Sequence, residues 1–177
     1  MLSASEIRAR INGVKDTKKI TDAMYMISSA KMRKALRDLE HTTPYFEALT
    51  DKIGALFQCI PQTNDRYFRV KVSEDTVHLS HGIVLITSDK GLAGAYNQEA
   101  ISVCEAYLKH HSRTTVFIIG EYGRQYFMKR GMPFVQDFNY SAAHPSLRDA
   151  RRMCAELLEY YDRAELDEIS IIYTDYM

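Results

Sequence analysis

Apolar positions near the N-terminus recur in alternating steps of four and three: Ile7, Ile11 and Val14, then Met32, Ala35 and Leu39, then Phe46, Leu49, Ile53, Leu56 and Ile60. This is a heptad seam, the pattern of a helix that winds on another helix. A helix over residues 5–59 would run ~80 Å at 1.5 Å per residue, more than one small core can cover. No later segment promises a comparable helix, so the mate of the seam is expected in another molecule or in a segment outside this chain. Between its clear stretches the seam slips. Continuing the register lands on Lys18, Thr21, Tyr25 and Ser28, whereas the apolar residues move to Ile20, Ala23, Met24 and Ile27. A slip of this kind alters the supercoil or turns the apolar face of the middle segment toward something other than the coiled-coil mate. Ser3 or Ser5 can cap the helix, with Glu6 placing an acid in its first turn. Pro44 predicts a bend, but the spacing resumes in register at Phe46, so one bent helix is expected.

Beyond this first region, residues 1–60, the period changes. Residues 61–80 are polar and punctuated by Pro61, Asn64, Asp65 and Ser73, which predicts a linker. From 81 to 177 short apolar runs alternate with amphipathic stretches: strands over 82–87, 115–120 and 168–174, helices over 97–109, 121–130 and 146–161, and a weaker strand or loop over 132–138. Such alternation predicts a parallel or mostly parallel α/β sheet of three or four strands. A core strand this near the last residue reads as a domain cut short.

Composition adds two constraints. At 46% hydrophobic and 26% charged the chain is globular in character, and its apolar runs, such as residues 83–86, are far below the ~20 residues that cross a bilayer. No leader pattern is visible. The formal net charge is zero, yet residues 1–40 carry nine Lys and Arg against five Asp and Glu, so the rest is correspondingly acidic. A basic helix on an otherwise acidic chain implies an acidic partner surface, nucleic acid among the candidates, with a merely solvated face as the plainer reading. Three widely spaced cysteines in apolar helical contexts predict buried free thiols.

Candidate chemistry is sparse. The turn Ser88-Asp89-Lys90-Gly91-Leu92-Ala93-Gly94-Ala95-Tyr96-Asn97 sits where α/β folds bind phosphates. Its G-x-x-G spacing matches neither the dinucleotide motif nor the P-loop, so a tight strand-to-helix turn is the favoured reading. Gly120 to Arg124 form a second glycine-bearing turn, equally short of a motif. His110 and His111 suit a helix C-terminus and have no metal-spaced companion. No nucleophile sits in a recognisable elbow, and the tyrosines show no nucleic-acid pattern. No catalytic, cofactor-binding or metal-ligating residue is nominated.

Two stretches together resemble the gamma subunit of F-type ATP synthases. One is IRARINGVKDTKKITDAMYMISSAKMRKAL, residues 7–36, with Arg10-Ile11, Val14-Lys15, Thr17, Lys19-Ile20-Thr21, Ala23-Met24, Met26, Ala30-Lys31 and Arg33 in the family's N-terminal pattern. The other is ITSDKGLAGAYN, residues 86–97, at the place of the family's Gly-Leu-x-Gly loop. Residues 145–173 fit as well, so the resemblance spans essentially the whole chain.

The resemblance implies a long N-terminal coiled-coil helix followed by a small three-layer, mostly parallel Rossmann-like domain that binds no nucleotide and no cofactor. It implies that the seam of Ile7, Ile11, Val14, Leu39, Phe46, Leu49 and Ile53 pairs with a C-terminal helix missing here; left uncovered, that apolar stripe is expected to make an isolated chain associate through this helix, lose the helix to disorder or fold it back onto the α/β domain. The pair would form a shaft inside a ring of alpha and beta subunits, with the α/β domain beside the epsilon subunit and the membrane rotor ring. Contacts with the alpha/beta ring are expected from Lys15, Lys18, Lys19, Ile20, Ala23, Met24, Ile27, Lys31 and Arg33 around the slip, and from Asp89 and Lys90. Lys90 stands where the family often has Arg, keeping the charge and losing the bidentate fork. The implied role is a non-catalytic rotor shaft coupling proton- or sodium-driven rotation to ATP synthesis, at the cytoplasmic face of a bacterial plasma membrane or its organellar equivalent. The other readings are a nucleotide-binding α/β enzyme with a helical oligomerisation arm and a basic coiled-coil DNA-binding protein.

Overall fold

Ser3 opens the first helix by reciprocal capping. Its Oγ accepts the Glu6 amide at 3.2 Å while the Glu6 carboxylate accepts the Ser3 amide at 2.7 Å, satisfying two donors that a helix start would otherwise leave open. The helix that follows, α1 (Ala4–Cys59), has 56 residues and is ~84 Å long at 1.5 Å per residue. It is a single hydrogen-bonded element through Pro44. Pro44 offers no amide to the Glu40 carbonyl. Just before it, Thr42 and Thr43 turn their hydroxyls back onto the carbonyls of Asp38 and Leu39 at 2.8 and 3.0 Å. None of its residues is buried.

The computed structural model describes residues 3–59, 67, 79–143 and 145–176. The chain divides into two compact units, Met1–Lys71 and Val72–Met177. Apart from Tyr67, Leu79 and Ser80, the linker expected over 61–80 lies outside the described residues.

In the second unit the elements are β1 (His81–Ile86), α2 (Tyr96–His110), β2 (Thr114–Ile119), α3 (Glu121–Lys129), α4 (Leu147–Asp162) and β3 (Glu168–Ile172). The strands form one sheet in the order β2-β1-β3 with both pairings parallel. Alternation along the strands sorts the side chains to two faces. Ile83 and Leu85 of β1 with Val116 and Ile118 of β2 pack against Ala100, Ile101 and Cys104 of α2 and Phe127 of α3. Val84, Phe117 and Ile119 meet Phe138, Tyr140 and Leu166 on the other face, with Met153, Leu157 and Tyr160 of α4 over them. The three expected layers are therefore present, and the sheet is wholly parallel. Side chains such as Ile83, Leu85, Ile101 and Phe127, 0% exposed, each contribute ~1.5–3 kcal/mol by burial.

Residues 132–138 form no strand; they lie along the outer edge of β2 as irregular chain. The Val135 amide donates to the Val116 carbonyl at 2.9 Å, and Tyr140 makes an isolated parallel bridge to Ile119. Arg124 of α3 holds this segment. Its guanidinium donates to the carbonyls of Phe138 at 3.1 Å and Gln136 at 2.9 Å and lies over the Phe134 ring. Ser146 caps α4 by accepting the Asp149 amide at 3.1 Å.

One expectation needs correction. Only Cys104 is buried; Cys59 and Cys154 are exposed, although all three are free thiols. Cys59 ends a helix with no buried residue, and Cys154 belongs to α4, likewise without a buried residue. An apolar sequence context therefore does not imply burial here. Burial pushes the Cys104 thiol up to about 11, with Glu105 adding to the effect, so it stays protonated and inert.

Candidate partner-binding surfaces

On α1 the apolar seam faces solvent. Ile7, Ile11, Val14, Leu39, Phe46, Leu49 and Ile53 are all exposed, and Phe46 is 66% exposed. Ile20, Met24 and Ile27 at the slip are also exposed large apolar groups, and Ala23 between them is exposed as well. At ~100° per residue these four project roughly opposite the Ile7, Ile11 and Val14 stripe, so one helix offers two apolar faces. The basic residues around the slip fall into two groups. Lys18 pairs with Asp22 at 2.8 Å and Lys19 with Asp16 at 3.2 Å, both on the exposed surface. Lys15, Lys31 and Arg33 have no ion pair among the described residues, so the uncompensated positive charge lies beside the apolar slip. Surface pairs of this sort are worth ~0.5 kcal/mol or less on a helix and are readily exchanged for a partner's carboxylate.

The turn after β1 is built very differently. Its first three residues cap α3: the amides of Glu121, Tyr122 and Gly123 donate to the Asp89 carboxylate at 3.2 Å, the Ser88 carbonyl at 3.1 Å and Thr87 Oγ1 at 3.0 Å. These are the amides that an anion would use at a helix N-terminus, and the chain's own residues occupy them. Thr87 is fully buried and its hydroxyl donates to the Ile119 carbonyl at 3.0 Å. Close approach requires the glycines of the second turn. A Cβ on Gly120, whose φ is +93°, would lie 2.2 Å from the Thr87 carbonyl oxygen, and one on Gly123 would lie 2.8 Å from Thr87 Oγ1. The Gly120-x-x-Gly123 spacing is thus a packing device around one threonine.

Asp89, which the reading above groups with Lys90 as a ring contact, turns its carboxylate inward. Besides the Glu121 amide it accepts Ser141 Oγ at 2.6 Å and the amides of Ala142 and Ala143 at 3.1 and 2.8 Å. Partial burial alone would raise its pKa, but the hydrogen bonds from Ser141, Ala142, Ala143 and Glu121 outweigh that and hold the carboxyl below its usual range. At the other end the buried Asn97 carboxamide accepts the Ser88 amide at 2.9 Å and donates to Ser88 Oγ at 2.8 Å, while that hydroxyl donates to the Lys90 carbonyl at 2.5 Å. Only the tip is free: Lys90 to Ala95 are exposed. Within it Leu92 holds a left-handed backbone, φ +64°, at a cost of ~1–2 kcal/mol for a non-glycine residue, and is 97% exposed. Nothing in the spacing of the glycines pointed to Leu92.

A cleft of about 460 Å³ at the opposite, N-terminal end of the sheet is lined by His81, Tyr107, His110, His111, Arg113 and Glu168. His81 Nδ1 lies 3.0 Å from the Tyr107 hydroxyl, and the His111 ring stacks on Tyr107. Among the described residues no group of three His, Cys, Asp or Glu side chains is arranged to hold a metal, and no helix is long and apolar enough to cross a membrane.

A family model described as ATP synthase matches residues 3–177. The chain is similar to the ATP synthase gamma chain of Acetivibrio thermocellus, 32% identical over 174 residues, covering 98% of this chain and 58% of that protein. It is similar in the same way to the ATP synthase gamma chain of Caldicellulosiruptor saccharolyticus, 34% identical over 171 residues, 95% of this chain and 58% of the relative. A third relative is the sodium ion specific ATP synthase gamma chain of Acetobacterium woodii, 29% identical over 175 residues, 99% of this chain and 56% of the relative. The chain thus spans under three fifths of the length of these relatives. With the family model matching from residue 3 to residue 177, the chain belongs to the gamma-subunit family of F-type ATP synthases.

Proposed function

We propose that this chain acts as the central shaft of an F-type ATP synthase, a non-catalytic part that couples ion-driven rotation to ATP synthesis in the surrounding beta subunits. The observation that carries this reading is α1: 56 residues with a periodic apolar seam and no buried residue. Such a helix has no stabilising core of its own and requires long partners on more than one side. The seam from Ile7 to Ile53 would take a mate helix. The slip residues Ile20, Ala23, Met24 and Ile27, with Lys15, Lys18, Lys19, Lys31 and Arg33, would face the alpha and beta subunits. Lys90 on the β1–α2 turn would make a second contact with a beta subunit, and the α/β unit would meet the epsilon subunit and membrane rotor ring at the cytoplasmic face of the membrane. Occupation of the α3 amides by Thr87, Ser88 and Asp89 closes the second glycine turn to an anion, and the Gly91-x-x-Gly94 turn completes no phosphate motif; together these support a unit that binds partners and not nucleotide.

The mechanism needs no chemistry from these side chains. A shaft couples by making contacts of different free energy with each conformational state of the ring, so turning it shifts which state each site prefers. A single exposed ion pair contributes ~0–1 kcal/mol, so loss of one should alter coupling without preventing assembly. The test is to assemble the Lys90→Ala and Met24→Lys variants with alpha and beta subunits and to measure assembly and ATP turnover separately. Normal assembly with reduced turnover is expected; normal turnover in both would leave α1 and the turn as passive parts of the axle.

A further inference from the structure

Leu92 is the most exposed large apolar side chain among the described residues, 97% exposed, and it sits in a left-handed backbone that glycine or asparagine would adopt with less strain. Contacts within its own chain do not account for a branched apolar residue at that position. Its surroundings are not loose either. Ser88 and Asn97 bind the two ends of the turn to each other, and Asp89 fixes its base to the first amide of α3 and to Ser141, Ala142 and Ala143. The neighbours Gly91, Ala93, Gly94 and Ala95 are small and exposed, which lets another backbone close around Leu92, and Lys90 sets a cation beside it.

We infer that Leu92 is the anchor by which the turn enters an apolar pocket on the ring subunit it meets, and that Asp89 is a positioning residue that builds the turn from behind. This rests on the reading that the turn meets the ring. A finger already ordered in the free chain loses little conformational freedom on docking, and burying one large apolar tip at the centre of a contact is the usual source of affinity. The acidic group of the pair thus serves the inside of the turn, while Lys90 and Leu92 serve the outside: the pocket has an apolar floor and an electronegative rim.

The experiment compares the wild-type chain with Leu92→Asn, Leu92→Met and Asp89→Asn, measuring the Tm of each free chain and its affinity for assembled ATP synthase alpha and beta subunits. Leu92→Asn should keep or raise the Tm, because asparagine tolerates the left-handed region, and weaken association about tenfold or more. Leu92→Met should retain most of the affinity. Asp89→Asn should lower both Tm and affinity and speed amide exchange at Glu121. Wild-type affinity in Leu92→Asn, or a fall in its Tm that accounts for the lost affinity, overturns the anchor. An unchanged Tm and Glu121 exchange in Asp89→Asn overturns the positioning role. If Met24→Lys assembles normally with reduced turnover while Leu92→Asn keeps wild-type affinity, the shaft reading stands and only the anchor falls; if the wild-type chain does not associate at all, both fall.

Discussion

Replacing Thr87 by Val removes one hydroxyl from the centre of the α/β unit and keeps the shape of the side chain. Three hydrogen bonds involve that hydroxyl: it accepts the Gly123 amide at 3.0 Å and its proton is shared between the carbonyls of Ile119 at 3.0 Å and Gly120 at 3.4 Å. The Ile119 carbonyl keeps a partner, because the Thr87 amide also donates to it at 2.9 Å. The Gly123 amide keeps none, and Gly123 is buried. A buried N–H left without an acceptor costs ~1–3 kcal/mol. The new methyl must also occupy a place 3.0 Å from that nitrogen, closer than a carbon group accepts, so overpacking adds to the cost. A loss of ~2 kcal/mol should lower the Tm of a unit this size by about 10 °C. Thr87→Ser is the control: it keeps the hydroxyl with its bonds and deletes a methyl, at ~0.5–1.5 kcal/mol by analogy with Ile→Val. Urea unfolding followed by tyrosine fluorescence, with amide exchange read at Gly123, checks both variants. The reasoning is refuted if Thr87→Val is as stable as Thr87→Ser, or if Gly123 exchanges no faster in it than in wild type.

Further outcomes follow from the same contacts. Asp89 has a lowered pKa in the folded chain, so its stabilising contribution is complete above the ordinary value of 3.8 and is lost as pH falls through the depressed one; urea midpoints between pH 2 and 7 should show Asp89→Asn less stable at neutral pH, with a shallower decline below about pH 4. The chain should show no saturable binding of ATP or NAD in equilibrium dialysis, since the Gly91-x-x-Gly94 turn completes no phosphate motif and the α3 amides are taken; micromolar binding mapped to Gly91 and Gly94 would favour the enzyme reading. The chain should self-associate through the exposed α1 seam, and Phe46→Lys should shift sedimentation toward monomer; a wild-type monomer whose α1 amides are fully protected would show that the seam is misjudged.

What could be read from the amino acids alone follows the range over which each signal acts. The seam and the period-two strands are local repeats, and β1, β2 and the start of β3 fall within a residue of their expected positions. The role of Asp89 was not legible, because its partners lie 32 to 54 residues away and are backbone amides or a serine with no motif of their own. The Ser88–Asn97 pair has a spacing of nine, which no helical or strand period marks. The G-x-x-G spacing of Gly91 and Gly94 predicts a tight turn, yet the left-handed residues within it are Leu92 and Gly94. Gly120 and Gly123 resembled an incomplete ligand motif because the reason for both, the side chain and carbonyl of Thr87, lies just past the end of β1, far from them in sequence.

The two sides of the sheet also differ in what they permit. Along β2 the carbonyl of Val116 and the end of the strand are already engaged by Val135 and Tyr140, with Arg124 fastening that cover, whereas among the described residues β3 pairs with β1 alone. Exposed strand edges are templates for polymerisation, and a sheet open on both sides can add copies without limit. One that is sealed on one side can be extended by a copy of itself only once. Two such sheets meeting β3 to β3 would close into a single six-stranded object with both margins sealed, so for this unit the hazard of edge pairing is a finite dimer and not a growing fibril.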